Sequence, residues 1–347
     1  MKPSADQINY LNMALMVAAC AAVFLAPFEV FLLAYAILGP LHYLTEISWI
    51  HDRGYFLARP GKPRLIAWLS LVGLALAAMM VGLVAEKILH VDLPPVLEIG
   101  LFYLVFAAAG LLAFGVDRTI GGIALAFIAL GIALFSASPW YGVVAFLIIT
   151  IVHVLVFTAG FILFGALKSK SVSGLASLGV FAACIVAVLV ITPAAHPASA
   201  FVQTTYQPFR TLNDELLRLV GLGFSDIYDS AAGQGVMRLI AFAYTYHYLN
   251  WFSKTSVIGW HQISKARAAV ILMLWLAAVA TYAVNYELGF IVLYSLSVLH
   301  VMFEFPLNHQ TFAGIGRELY GLMPRRPAAA KAVPAASPTH RRKRRRS

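Results

Sequence analysis

Long apolar stretches alternate with short polar breaks along the whole chain. Apolar runs of about the twenty residues needed to cross a bilayer fall at roughly 8–25, 28–50, 64–86, 97–115, 119–136, 140–165, 173–193, 234–253, 267–284 and 288–306. The runs are too long for strands and do not alternate, and lipid admits only helices or closed barrels. The pattern therefore predicts an all-α integral membrane protein of about ten transmembrane helices. Only Ala26-Pro27-Phe28 separates the first two runs and only Asn285-Tyr286-Glu287 the last two. Both pairs should form tight hairpins.

Composition supports this class. Of 347 residues, 61% are hydrophobic and 12% charged, against about a quarter charged in soluble domains. The net charge of +10 draws heavily on the terminal run Arg341-Arg342-Lys343-Arg344-Arg345-Arg346. We read that run as a disordered tail over residues 323–347 that meets anionic membrane lipids, with no nucleic-acid partner. Residues 1–322 form the polytopic domain. Cys20 and Cys184 lie far apart in apolar runs, which argues against a disulfide framework or a cysteine zinc site. Any metal would then be held by His and carboxylate. Val17-Ala18-Ala19-Cys20 resembles a lipoprotein cleavage site, but the apolar segment continues past it and reads as a retained first span.

Basic residues set the expected orientation. Arg53, Arg59, Lys62 and Arg64, then Arg118, Lys168 and Lys170, then Lys254, Lys265 and Arg267, and finally Arg317 with the tail, all follow even-numbered spans. They gather on the cytoplasmic side of a multi-pass bacterial inner-membrane protein. Both termini are expected there. On the other side, the segment 194–233 contains Thr211-Leu212-Asn213-Asp214-Glu215-Leu216-Leu217-Arg218-Leu219-Val220-Gly221. This piece reads as a short amphipathic surface helix with an N-cap at Thr211 and a terminal glycine.

Two distant stretches share one pattern. His42, Glu46 and His51, and again His300, Glu304 and His309, spell His-x3-Glu-x4-His. Residues four apart lie on one helical face, so each leading His and its Glu can point at one object. The trailing His lies about half a rotation off that face and joins only if the helix ends or bends. Pro306 suggests such a break in the second copy, and fraying between Ser48 and Gly54 would be required in the first. His153, His247 and His261 fall toward the same membrane side. Each has a purely structural alternative, as a packing residue, an interfacial aromatic-belt member and a solvated loop residue respectively. Asp52, beside His51, suits an outer-sphere partner. Tyr43, Trp49, Tyr244, Tyr248 and Trp251 could wall a pocket for a substrate.

In architecture and ligand class the chain resembles histidine-cluster membrane oxygenases, the fatty-acid desaturases and hydroxylases and the Brp/Blh-like carotene-cleaving proteins. The desaturase boxes His-x3-His and His-x2-His-His are absent. Imidazoles and carboxylates with open coordination positions suit non-haem iron. The leading expectation is a metal-dependent membrane oxidoreductase, with two iron ions held by His42, Glu46, His51, His153, His247, His261, His300, Glu304 and His309. It would act on a lipid or isoprenoid substrate with an electron donor. The alternatives are a haem- or quinone-binding electron-transfer protein and a metal-ion or proton transporter.

Overall fold

Among the described residues, nine helices are long and apolar enough to cross a membrane, and no strand occurs. The computed structural model describes residues 4–57, 61–91, 93, 96–138, 140–141, 148–193, 198–223, 225–254, 259 and 262–322. The nine are α1 (Ala5–Leu25), α2 (Pro27–Asp52), α3 (Lys62–Lys87), α4 (Val96–Ala113), α5 (Arg118–Phe135), α6 (Ile151–Ser169), α7 (Val172–Val190), α9 (Lys265–Val284) and α10 (Tyr286–Leu322). The chain is an all-α integral membrane protein. Its basic tail and His261 lie outside the described residues.

The tenth expected span is α8, Ala231–Ser253, and it differs in kind from the nine. It buries Gln234, Arg238, Thr245, His247 and Asn250 and packs against α1, α2, α7 and the start of α6. A helix surrounded by protein needs no apolar coat, so polar residues that would be costly against lipid are tolerated here. By contrast, α5 buries only Gly121 and lies at the periphery. Serines fix several helix starts: Ser4 forms a capping box with Gln7, and Ser171, Ser230 and Ser264 accept backbone N–H groups at the starts of α7, α8 and α9.

Both hairpins are as tight as expected, with Ala26 between α1 and α2 and Asn285 between α9 and α10. Cys20 and Cys184, although remote in sequence, bring their thiols together across α1 and α7. Both are free. At Gly174 an added Cβ would meet Ala166 Cβ at 2.8 Å and Cα at 3.1 Å, so α6 and α7 approach only because no side chain intervenes. Gly174→Leu is expected to cost about 1–3 kcal/mol, measurable as a lowered thermal midpoint in detergent.

Two helices contain π-helical stretches, Ala34–Leu38 in α2 and Ile148–Phe157 leading into α6. Pro40 follows the first of them. Proline offers no N–H to the carbonyl one turn earlier and crowds it, and a widened turn accommodates both defects.

Three expectations about local structure fail. The helix does not break at Pro306, because α10 runs through it from Tyr286 to Leu322; neighbouring helices support the backbone that proline disturbs. Nor does α2 fray after Ser48, since it remains helical to Asp52. The amphipathic helix spans Arg210–Leu219 with Phe209, not Thr211, at its N-cap, because a 3-10 turn over Gln207–Phe209 feeds directly into it. Its terminal Gly221 has φ +73°, as a glycine stop requires. Leu217, Phe209 and Tyr206 are buried beneath this helix, and the rings of Phe209 and Tyr206 pack against Phe31 of α2.

Candidate metal centre

Four helices from opposite parts of the chain meet at one buried cluster. α2 brings His42 and Glu46, α6 brings His153, α8 brings His247, and α10 brings His300 and Glu304. All six side chains are at most 6% exposed. The i, i+4 spacing in α2 and α10 aligns each His with its Glu on the inward face, while the π stretch of α6 carries His153. Such stretches often occur at functional sites, where an extra residue per turn re-aims a side chain.

The imidazoles pack ring against ring. Centroids lie 4.8 Å apart for His42 and His247, 5.3 Å for His42 and His300, 5.1 Å for His153 and His247, and 5.4 Å for His153 and His300. His42 Nε2 is 3.1 Å from His247 Nε2. One ligand atom from each of His42, His247 and His300 falls within 4.8 Å of the others. Glu46 Oε2 lies 3.1 Å from His42 Nε2, and Glu304 Oε2 lies 3.3 Å from His153 Nδ1. Neither contact has hydrogen-bond alignment. Glu46 Oε2, Glu304 Oε2 and both ring nitrogens of His153 and His300 lack hydrogen-bond partners among the described residues. So many buried, unsatisfied polar atoms in one place are rare in folded proteins, because each costs desolvation energy.

Around the cluster lies a layer of orienting contacts. Thr158 Oγ1 is 3.0 Å from His247 Nδ1, which leaves Nε2 of that ring to face the centre. The Tyr43 ring stacks on His300 at 4.1 Å, and its hydroxyl meets that of Tyr248 at 2.6 Å. Trp251 Nε1 donates to Thr45 Oγ1 at 2.9 Å, and the Trp251 ring lies 5.5 Å from that of His42. Asn308 sits one turn beyond Glu304, next to its carboxylate. Asn308 and Thr158 are not among the residues expected at the site from sequence. Asn308 was detectable, since it extends the stripe of His300 and Glu304 by another four residues; Thr158 depends on the α6 register and had no sequence signal. Thr158→Val keeps shape but removes the hydroxyl, and should weaken metal retention about 10- to 100-fold, read by competition with a chelator.

The trailing histidines do not join. His51 is exposed, with Nδ1 3.1 Å from the Tyr55 hydroxyl. Gly54, Tyr55 and Phe56 all have positive φ and turn the chain sharply after α2. His309 Nε2 instead donates to the Phe106 carbonyl at 3.0 Å, in the space left by Gly110 of α4. The cause is common to both: uninterrupted helices keep a residue nine positions on away from the first one's face. Asp52 is not a partner of His51 in a metal shell; it accepts a 2.6 Å bond from Arg267. Of the aromatic residues, Tyr43, Tyr248 and Trp251 touch the cluster, Trp49 packs behind Trp251 at 5.5 Å, and Tyr244 packs with Phe31 and Tyr35 in the core.

The fold and site together define a multi-pass helical membrane protein with a buried four-histidine, two-glutamate cluster. Compared with models of known families, with curated proteins and with solved structures, the chain has no significant match.

Proposed function

We propose that this cluster holds one or two transition-metal ions, and that the protein is a metal-dependent membrane oxidoreductase acting on a lipid-soluble substrate. The observation that carries the reading is the convergence of six buried potential ligands, of which Glu46, His153, His300 and Glu304 carry polar atoms with no hydrogen-bond partner among the described residues, while His42 Nε2 and His247 Nε2 face each other. An ion would satisfy them simultaneously. The 3.1 Å between His42 Nε2 and His247 Nε2 approaches the edge of a coordination tetrahedron, about 3.4 Å for metal–nitrogen bonds near 2.1 Å. Mixed imidazole and carboxylate donors suit iron, with the Glu46 and Glu304 carboxylates offsetting the ion's charge. When bound, iron would supply oxygen activation and electron transfer. The protein would hold His247 through Thr158, cover His300 with Tyr43 and exclude water by burial.

A haem is disfavoured because the imidazoles contact one another, leaving no slot for a macrocycle between facing rings. The distribution of basic residues supports a cytoplasmic location for both termini and for the cluster's end of the bundle. Elemental analysis of the detergent-purified protein tests the proposal. We expect one or two equivalents of iron per chain; metal-free protein after expression in iron-replete medium would refute the centre, and zinc alone would refute its redox role.

A further inference from the structure

Beside the cluster, between the end of α2 and the start of α9, is a cavity of about 250 Å³. Thr45, Ser48, Trp49 and Arg53 form its α2 wall, with Gln262 and Ile271 opposite. Its lining residue Thr45 bonds to Trp251, a neighbour of the histidine cluster. Thr45 accepts the indole N–H of Trp251, and that indole packs edge-on against the His42 ring with centroids 5.5 Å apart.

The charges at the cavity are unequal. Asp52 also lines it, but Arg267 Nη1 bonds its carboxylate at 2.6 Å and reaches toward Ser48 Oγ at 3.5 Å. That acid is already neutralised. Arg53 forms no close ion pair among the described residues, although its charge also acts on the Asp52 carboxylate, and its guanidinium lies over the Trp49 ring at 5.5 Å from the centroid. The cavity thus carries an excess of positive charge, Arg53 and the adjoining Arg267 against the single carboxylate of Asp52, with hydroxyl and amide groups and the apolar surfaces of Trp49, Ile263 and Ile271. A guanidinium is matched geometrically by carboxylate or phosphate oxygens, and indoles and isoleucine suit methylenes.

We propose that this cavity binds the anionic headgroup of a single-chain amphiphile through Arg53, with its chain lying along Trp49 toward Trp251, the indole that packs against His42. The proposal deepens the oxidoreductase reading by naming a substrate class, and it rests on that reading only for what happens at His42. Headgroup capture requires no metal. It is therefore tested with metal-stripped protein in zwitterionic nanodiscs, using 11-bromoundecanoate, whose bromine quenches nearby tryptophan. Saturable quenching is expected, lost when Trp49 and Trp251 are both changed to Phe. Dodecanoate and dodecyl phosphate should compete and dodecanol should not; the stronger competitor identifies carboxylate or phosphate as the preferred head. Arg53→Gln should weaken binding by about tenfold or more, with Arg53→Lys in between.

Dodecanol competing as well as dodecanoate would overturn the proposal, as would unchanged affinity in Arg53→Gln. The wild-type competition series decides the matter even if a variant misfolds. Headgroup binding by a protein that never contains metal would preserve this assignment and overturn only the metal reading.

Discussion

Glu304→Gln and Glu46→Gln should each lower metal affinity more than the 10- to 100-fold expected for loss of an outer partner, and should abolish turnover. The amide keeps the carboxylate's size but carries no charge, so packing changes do not explain the loss. The two glutamates occupy equivalent places, each 3.1–3.3 Å from a cluster imidazole and at most 2% exposed, and equal effects are expected. His51→Ala and His309→Ala provide the contrast. His51 is exposed beside Tyr55, and His309 is bonded to the Phe106 carbonyl. Both variants should keep full metal content by elemental analysis. Full occupancy in both glutamine variants would remove these carboxylates from the centre.

If the cluster holds an ion as proposed, stripping it should cost stability. An ion present at about a thousand times its dissociation constant stabilises the folded state by roughly 4 kcal/mol, a thermal shift on the order of ten degrees. Without it, Glu46 and Glu304 remain buried and deprived of a cation, an arrangement that is expensive in a low-dielectric interior. The apoprotein should therefore melt lower, and added metal should restore the midpoint. The Glu46→Gln, Glu304→Gln double variant should resist chelator and, without metal, melt higher than stripped wild type. Scanning fluorimetry with and without chelator reads both. If chelator leaves the wild-type midpoint unchanged, no ion is coupled to folding.

Much of this architecture is legible in the chain because lipid imposes a simple length rule. Apolar runs locate the nine lipid-compatible helices, and the four-residue spacing aligns His42 with Glu46 and His300 with Glu304. The length rule is less informative for α8, whose polar residues are sheltered by neighbours instead of facing lipid. Helical spacing also predicts that His51 and His309 face away; both would join the site only with breaks at Ser48–Gly54 and Pro306, and the helices instead continue to Asp52 and through Pro306. The register of α6 is set by its π-helical stretch, and nothing in Ile151-Val152-His153-Val154-Leu155 signals it. The pairing of Cys20 with Cys184 was equally hidden, because contact between α1 and α7 is a property of the assembled bundle.

The cluster draws its donors from residue 42 at one extreme and residue 304 at the other, with the rest supplied from helices in between. During synthesis, Glu304 enters the bilayer long after His42 and Glu46 have been delivered there. Incomplete chains can present only a partial donor set, so a permanently seated ion must await insertion of the final hairpin. On the proposed metal reading, loading would be a late maturation event, and a chain truncated before α10 would reach the membrane without the donors His300 and Glu304.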